Sequence, residues 1–553
     1  MTEAPVWIVC RQCGVRLYRK RFEQELQVCR ECGHHARLDA FQRIDQLLDQ
    51  GSAGEMDFGT PAGDPLGFTD RMAYPDRLAA ARAATGLCDA AVSVRGTIEG
   101  RPVILLVMDF AFLGGSLGAS VGDLVVGAAD AARQERIPLI VVTASGGARM
   151  QEGVLALMQM ARTSQALAEL DEAGVLTITI VTDPTFGGVA ASFATQTDVI
   201  IAEPGARMGF AGKRVIEQTI GKRLPADFQT ASSLMEHGLI DDVVPRVRLR
   251  TVLSRLLSLT DPPSGGDVLL PVTPPDRLGE PETSDPWQMV RRARELERPT
   301  TLDYIHHMYD GFKELHGDRV SGDCPAMIAG FGHLAGRPVG IIGQQKGHDA
   351  AELARRNFGM ASPAGYRKAA RLMALAEKLR IPIITLIDTP GAYPGVEAEA
   401  NGQMNAIAAS LRLMSGLRVP LIAVLTGEGG SGGALALALA DRVLALEHAV
   451  YSVISPEGCA SILWRSQDAA PTAARALKVT PSDLLRLGIV DDMVPEPPGG
   501  AQRDHARAAE ILRARLTAAL DELTPWDSDA LVRGRRARFA RFGAQPVKKE
   551  VSL

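Results

Sequence analysis

The sequence Thr182-Asp183-Pro184-Thr185-Phe186-Gly187-Gly188 follows an apolar run rich in β-branched residues and precedes a stretch of small residues. A similar sequence in the second half of the chain, Gly427-Glu428-Gly429-Gly430-Ser431-Gly432-Gly433, has the same surroundings. The apolar runs predict strands covered on both faces, and the small residues predict helices. A glycine pair at such a junction leaves the backbone N–H groups at the helix start unobstructed.

The two junctions belong to a longer repeat, which predicts two copies of one fold. Arg136-Ile-Pro-Leu-Ile resembles Arg380-Ile-Pro-Ile-Ile, and Asp241-Asp-Val-Val-Pro resembles Asp491-Asp-Met-Val-Pro. The offset is nearly constant: 244 residues from Pro138 to Pro382, 245 from Gly188 to Gly433, and 250 from Pro245 to Pro495. Within each copy, short strands alternate with helical stretches, which is typical of a βαβ arrangement. A chance match of short apolar runs would not give nearly the same offset at three separate positions.

The proline content marks the boundary between the copies. Residues 261–286 contain seven prolines, at positions 262, 263, 271, 274, 275, 281 and 286. Such a segment predicts an extended linker. The predicted domains are therefore a four-cysteine module at 1–40, a first core at 41–260, the linker at 261–286 and a second core at 287–553.

The composition is that of a globular protein rather than a disordered one. The chain has 553 residues, 46% of them hydrophobic and 23% charged, and a formal net charge of −5. This acidic balance argues against a chain-wide nucleic-acid surface. We find no apolar run of 18 residues and no signal-peptide pattern, and we expect no membrane span and a cytoplasmic location. Glycine is abundant, with 55 residues, and indicates close backbone approaches.

Four of the seven cysteines have the spacing of metal ligands. Cys10 and Cys13 form one Cys-x-x-Cys pair, and Cys29 and Cys32 form the second. Two such pairs predict a zinc ribbon in which four thiolates fill a tetrahedral shell, so that the metal is structural. The alternative is a redox dithiol pair. Residues 1–37 carry seven Lys or Arg against four Glu, which fits either a solvated face or a phosphate-binding surface.

The glycine pairs suggest chemistry at a carbonyl oxygen. Unobstructed N–H groups at a helix start stabilise negative charge that develops on such an oxygen, and the repeat predicts two such sites. We find no nucleophile-elbow triad, no Walker A sequence and no dinucleotide-binding fingerprint. Covalent catalysis and ATP use by this chain are therefore not expected.

At this level of detail the chain resembles the carboxyltransferase component of bacterial acetyl-CoA carboxylase, with the beta and alpha subunits fused. In the beta-like part, the resemblance rests on the four cysteines, Asp76–Leu78, Phe110–Ser116, Ser145–Glu152, Asp183–Gly188, Gly209–Gly212 and Val215–Thr219. In the alpha-like part, it rests on Thr301–Ile305, Glu314–Arg319, Gln345–Gly347, Asp388–Gly395, Gly427–Gly433 and Ser455–Ser461.

The resemblance implies an α/β fold with tandem crotonase-like (ClpP/crotonase) ββα-superhelix domains after the zinc ribbon. It implies transfer of a carboxyl group from carboxybiotin to acetyl-CoA, giving malonyl-CoA for fatty acid synthesis. In this family, carboxybiotin releases CO2 in a closed site, the biotin ureido nitrogen takes a proton from the acetyl methyl group, and the enolate attacks CO2. Side-chain acid–base chemistry has little part in it.

The resemblance also assigns site residues. By analogy, Gly187 and Gly188 hold the thioester oxygen, and Gly432 and Gly433 hold the biotin ureido oxygen, although which pair serves which oxygen stays open. The substrate-binding candidates are Gly146, Gly147, Arg149, Lys346, Gly391, Ala392 and Tyr393. Arg149 and Lys346 are candidates for CoA phosphates or for ion pairs, and Tyr393 for the biotin pocket or for packing. Glu152 and Glu428 resemble general acids, but the family mechanism does not require them, which favours a structural role.

The basic residues near the C-terminus predict the end of a helix with a solvated face, and the alternative is a contact with CoA or a partner protein. These residues are Arg533, Arg535, Arg536, Arg538 and Arg541.

The sequence has no Ala-Met-Lys-Met biotin-attachment site. We therefore expect biotin to arrive on a separate carrier protein, with a separate biotin carboxylase supplying the ATP-dependent step, and we expect a homodimer. One competing hypothesis is a nucleic-acid-binding regulator that acts through the ribbon. Another is a hydratase or a biotin-dependent decarboxylase on the same fold. The residues do not separate acetyl-CoA from propionyl-CoA, which differ by one methylene.

Overall fold

The computed structural model describes residues 6–58, 63–64, 66–69, 71–213, 216–217, 222–261 and 285–542. The chain divides into two compact units. Unit 1 comprises Met1–Thr260 and Leu315–Gly322, and unit 2 comprises Asp261–Glu314 and Asp323–Leu553. The predicted linker at 261–286 lies mostly outside the described residues, as do Val215, Gln218 and Thr219. The predicted domain boundaries remain predictions.

Unit 1 begins with a small ribbon followed by one eight-stranded sheet. Its strands are β1 Trp7–Val9, β2 Arg16–Tyr18, β3 Gly54–Glu55, β4 Ala91–Ile98, β5 Arg101–Met108, β6 Leu139–Ser145, β7 Thr177–Phe186, β8 Val199–Ala202, β9 Met208–Gly209 and β10 Asp242–Val243. Its helices are α1 Arg19–Gln24, α2 Ala40–Leu47, α3 Tyr74–Thr85, α4 Ala119–Glu135, α5 Gly153–Glu172, α6 Gly187–Ala190, α7 Ala231–Glu236 and α8 Leu249–Leu257.

Unit 2 is built on a second sheet of eight strands. Its strands are β11 Asp310–Glu314, β12 Met327–Leu334, β13 Arg337–Gln344, β14 Ile383–Thr389, β15 Leu421–Gly430, β16 Arg442–Leu446, β17 Val450–Ser452 and β18 Asp492–Val494. Its helices are α9 Pro286–Ala293, α10 Thr301–Met308, α11 Ala350–Arg355, α12 Pro363–Lys378, α13 Val396–Ala400, α14 Gln403–Met414, α15 Ser431–Ala438, α16 Pro456–Cys459, α17 Ala470–Leu477, α18 Pro481–Arg486, α19 His505–Leu523 and α20 Ser528–Ala540.

The two sheets have the same strand order. In unit 1 the order is β10-β8-β7-β6-β5-β4-β3, with β9 paired to β7, and in unit 2 it is β18-β16-β15-β14-β13-β12-β11, with β17 paired to β15. The inner strands are parallel, and every residue of β6 and of β14 is buried. Parallel strands need helices on both faces, which explains their continuous apolar sequences. The predicted tandem repeat is confirmed.

The strand pairing corrects the sequence alignment of the repeats by one residue. Ser145 pairs with Thr185 in unit 1, and Thr389 pairs with Gly429 in unit 2, so both strands are displaced by 244 residues. The offset of 245 inferred at the second glycine pair was therefore wrong. Aligning Gly432–Gly433 with Gly187–Gly188 places the second junction one residue too far along the chain. The structural equivalents of Gly187 and Gly188 are Ser431 and Gly432.

The basic segment near the C-terminus also differs from expectation. Four of its five arginines lie in helix α20, but Arg535 and Arg538 are only 1% and 8% exposed. Arg535 pairs with Asp441 at 2.7 Å and donates to the carbonyl oxygens of Met414 and Leu417. The prediction of a solvated face was wrong for these two arginines, since they attach α20 to Asp441 and Asp491 beside the sheet. No helix within the described residues is long and apolar enough to cross a membrane.

Candidate active site in two half-sites

The first half-site lies at the carboxyl ends of β6 and β7. Gly187 begins α6 with a φ of +61°, and a Cβ there would lie 2.9 Å from the Cα of Gly147. Gly147 itself has a φ of +126°, and its N–H donates to the Ser145 hydroxyl at 3.0 Å. The predicted residues Gly146, Gly147, Gly187 and Gly188 therefore come together, and two backbones meet where no side chain fits.

Arg149 is buried beneath this loop. Its guanidinium makes a bidentate pair with Asp89, at 2.5 and 2.9 Å, and its Nε donates to the Ser116 hydroxyl at 3.0 Å. Glu152 accepts from the hydroxyl of Tyr74 at 2.6 Å and from the N–H of Ala119. A CoA phosphate at Arg149 would have to displace Asp89. In this structure Arg149 holds the loop that carries Gly146 and Gly147.

The second half-site repeats this arrangement in unit 2. Gly391 donates its N–H to the Thr389 hydroxyl at 3.2 Å, as Gly147 does to Ser145. Ser431 begins α15 with a φ of +55°, which matches Gly187. A Cβ at Gly433 would lie 2.4 Å from the Ala392 nitrogen, so Gly433 is where α15 packs against this loop. Sequence reasoning missed Ser431, because a left-handed conformation is typical of glycine and is not expected at a serine.

Tyr393 lies beside the same loop. A Cβ added at Gly395 would lie 2.4 Å from the Tyr393 ring, so the ring covers Gly395 and is half-buried.

Lys346 is enclosed by carboxylates. Its ammonium lies 2.6 Å from Asp388 Oδ1 and 3.0 Å from Glu428 Oε2. Arg294 approaches Glu428 from the other side at 2.6 Å and also pairs with Glu457. Burial raises the pKa of Glu428, but the two cations outweigh it and hold that pKa below its usual value. Burial lowers the pKa of Lys346, and the two carboxylates raise it overall.

A cavity of about 410 Å³ opens beside the first half-site, at the carboxyl ends of β5, β7 and β8. Ligands of open α/β sheets usually bind at this edge. Its walls include Asp183 of β7, Phe110 from the loop after β5, and His35 and Arg37 from the segment after the ribbon. Arg37 stacks over the Phe110 ring at 4.0 Å and donates to the Asp183 carbonyl oxygen at 3.0 Å.

The four ribbon cysteines form one cluster. Their sulfur atoms all lie within 4.8 Å of one another, with Cys10 and Cys32 at 3.7 Å and Cys13 and Cys29 at 3.8 Å. Tetrahedral zinc with Zn–S bonds of about 2.3 Å needs sulfur atoms about 3.8 Å apart. The geometry of this donor set therefore fits zinc. Gly14 and Gly33, which follow the two pairs, have φ of +73° and +70°.

Family profiles match most of the chain. A profile described as a carboxyl transferase domain matches residues 35–244, and one described as acetyl co-enzyme A carboxylase carboxyltransferase-like matches residues 282–543. The fold and the repeated glycine junctions thus define a protein of the carboxyl transferase class.

Relatives of nearly full length identify the family within that class. An acetyl-coenzyme A carboxylase carboxyl transferase subunits beta/alpha protein of Parafrankia sp. (strain EAN1pec) is 58% identical, over 97% of this chain and 91% of that protein. A protein of Clostridium tetani (strain Massachusetts / E88) with the same description is 44% identical, over 97% of this chain and 93% of its own. This chain belongs to the acetyl-coenzyme A carboxylase carboxyl transferases with fused beta and alpha subunits.

Solved structures show the same fold at low sequence identity. The crystal structure of transcarboxylase 12S, a hexamer described with methylmalonyl-coenzyme A bound, has a TM-score of 0.71 and 24% identity, covering 96% of this chain and 94% of that one. A single-chain, multi-domain long-chain acyl-CoA carboxylase has a TM-score of 0.65 and 20% identity, covering 92% of this chain and 50% of the other.

Proposed function

We propose that this chain transfers a carboxyl group from carboxybiotin, carried on a separate protein, to acetyl-CoA and so forms malonyl-CoA for fatty acid synthesis. The observation that carries this activity is the repeated strand-to-helix junction, with Gly187–Gly188 in one unit and Ser431–Gly433 in the other. Each junction presents N–H groups at a helix start, where they stabilise a developing oxyanion. The two substrates, a thioester and a ureido carbonyl, each need one such site.

The proposed reaction needs little chemistry from the protein's own side chains. The ureido nitrogen of biotin takes the methyl proton of acetyl-CoA, and the enolate attacks CO2 released from carboxybiotin. The protein has to stabilise negative charge on two oxygens and exclude water. Arg149 and Glu428 form ion pairs within the protein, with Asp89 and Arg294 respectively. These pairs support a mechanism in which neither side chain transfers a proton.

The assignment of Gly187 and Gly188 to the thioester oxygen, and of Gly432 and Gly433 to the ureido oxygen, stands as part of this proposal. So do the substrate-binding roles of Gly146, Gly147, Gly391, Ala392 and Tyr393. The structural register adds Ser431 as the position equivalent to Gly187. Gly433 also packs against the Ala392 backbone, and its carbonyl oxygen accepts from Gln344 at 3.1 Å.

The ribbon cysteines Cys10, Cys13, Cys29 and Cys32 would hold a zinc ion with a structural role. Biotin carboxyl carrier protein and biotin carboxylase are the proposed partners, the latter supplying the ATP-dependent step, in the cytoplasm. A homodimer is supported by the exposed apolar side chains Val154, Leu157 and Met158 on α5, since such patches mark protein interfaces.

A transfer assay with the full chain tests the activity. Carboxylated carrier protein is mixed with acetyl-CoA or propionyl-CoA, and the carboxylated CoA product is measured. We expect malonyl-CoA, with a preference for acetyl-CoA that reflects one methylene, about 1–3 kcal/mol. Transfer to neither thioester defeats the proposal, and a preference for propionyl-CoA changes its substrate.

A further inference from the structure

The ionic contacts around Lys346 occur in only one of the two repeats. By strand register, Lys346 is equivalent to Phe110, Asp388 to Ala144, and Glu428 to Pro184. The three equivalent positions of unit 1 thus hold a phenylalanine, an alanine and a proline. The equivalent positions are apolar in unit 1, whereas in unit 2 a lysine and two carboxylates contact one another.

In unit 2 the charges alternate along a chain of contacts. Asp388 contacts Lys346, Lys346 contacts Glu428, Glu428 contacts Arg294, and Arg294 contacts Glu457. Lys346, Asp388 and Glu428 each have 15% or less of the side chain exposed. Buried charges of this kind are stable only while every partner is present.

The contacts connect the backbone segments that form the second half-site. Asp388 lies one residue before Thr389, whose hydroxyl accepts from the Gly391 N–H, and Asp388 Oδ1 accepts from the Glu428 N–H at 2.9 Å. Glu428 lies three residues before Ser431, where α15 begins. Gln344 links the two sides again, since its Oε1 accepts from the Asp388 N–H and its Nε2 donates to the Gly433 carbonyl oxygen.

We propose that Lys346 is a positioning residue for carboxyl transfer, and that its ammonium holds the Asp388–Ala392 loop and the Glu428–Gly433 junction at the separation that the half-site requires. It acts through Asp388 and Glu428 and need not touch a substrate. Arg294 extends the same support to Glu457 on α16. This inference rests on the proposed function for its kinetic consequences, and on the contacts alone for its structural ones.

The test compares Lys346→Met with Lys346→Arg and with Lys478→Met, which makes the same change at an exposed lysine of unit 2. In Lys346→Met we expect kcat for carboxyl transfer to fall by about 100-fold with little change in KM, since small displacements of a preorganised site cost that much. Lys346→Arg should recover part of the loss, and Lys478→Met should match the wild type. Amide hydrogen exchange of the full chain should speed up at Gly391–Ala392 and Gly429–Gly433 in Lys346→Met only.

A pH profile separates positioning from general destabilisation. Without the lysine, Asp388 and Glu428 face each other, with Arg294 on Glu428 and with Arg298, paired to Glu496, as the next cation. At low pH one carboxyl group is protonated and donates to the other, and at higher pH the two repel. Transfer by Lys346→Met should therefore fall as the pH rises, and the double variant Lys346→Met/Glu428→Gln should lose this dependence.

The outcomes are distinguishable. If the wild type transfers no carboxyl group, the proposed function fails, and the hydrogen exchange still decides the role of Lys346. If the wild type is active and Lys346→Met matches it in kcat, pH profile and exchange, the positioning role is overturned. Equal slowing of kcat at every pH, with exchange faster throughout unit 2, also overturns it, because that pattern reports only a less stable fold.

Discussion

Gly187 and Ser431 occupy the same position in the two repeats and share a left-handed backbone conformation, with φ of +61° and +55°. Each is the first residue of the helix that follows the long central strand of its unit. The conformation therefore belongs to the junction itself and not to glycine. One repeat adopts it with the residue that tolerates it and the other with a residue that is strained by it.

The two positions should differ in their sensitivity to substitution. Gly187→Ala should destabilise unit 1 by about 1–3 kcal/mol and reduce transfer, because the new Cβ meets Gly147 as well as an unfavourable φ. Ser431→Gly should change stability by less than about 1 kcal/mol, since relief of strain offsets the added flexibility. Urea unfolding and the transfer assay measure both, and a larger loss in Ser431→Gly than in Gly187→Ala would contradict the shared conformation.

The cysteine cluster should bind one zinc ion per chain. Cys29→Ser should abolish the bound zinc and open residues 6–39 to proteolysis, because a structural zinc site contributes directly to folding. Cys88→Ser, at an exposed cysteine outside the cluster, is the matched control and should retain the metal. Metal analysis and limited proteolysis make the measurement. Full zinc content in Cys29→Ser would remove that residue from the ligand set.

The buried pair of Arg149 and Asp89 should be far more sensitive than an exposed pair of the same unit. Arg149→Met leaves two carboxylates, Asp89 and Glu152, buried without their cation, and should cost about 3–5 kcal/mol of unfolding free energy. Arg95→Met breaks an exposed pair with Glu135 and should cost about 1 kcal/mol or less. Urea unfolding of the two variants compares them directly. Similar losses would show that Arg149 is not a support of its loop.

Glu203 should make unit 1 sensitive to acid. Burial alone raises its pKa, but Arg43 and Arg246 outweigh burial and lower it to about 2 from the usual 4.5. Its stabilising effect is therefore complete above pH 4.5 and is lost as the pH falls towards 2, amounting to roughly 3 kcal/mol. Glu203→Gln should be less stable at pH 7 yet lose less on acidification. Unfolding free energies at pH 7, 4 and 3 test this, and parallel curves for both proteins would refute it.

The fold could be read from the sequence because its two copies repeat apolar strands and glycine junctions at a steady spacing. Pro138 and Pro382 marked equivalent strand starts correctly, since a proline at a strand end has few alternatives. The one-residue slip at Ser431 arose because a glycine pair stands on each side of this serine, and only strand pairing fixes the register. The clustering of the four cysteines followed from spacing alone.

The side-chain partners could not be predicted in this way. The residues around Arg149 in the sequence do not indicate that its guanidinium pairs with Asp89, sixty positions earlier. Likewise, the partners of Arg535 and Lys346 are brought to them by the sheet, and a charge in sequence does not show whether it is solvated or paired. The ion pairs of Arg149 and Lys346 could therefore be seen only in the structure.

Arg246 ties the ribbon to the body of unit 1. It is 2% exposed, its Nη1 donates to the carbonyl oxygen of Leu26, and its backbone N–H donates to the His35 ring. The ribbon is synthesised first, but this anchor follows Leu26 by 220 residues. At about 5–20 residues per second, roughly 10–40 s of translation separate them. During that interval the ribbon is held by its β1–β2 pairing, its cysteine cluster and the contacts of Arg37 with Phe110 and Asp183. The attachment of the ribbon to unit 1 is therefore completed only late in synthesis.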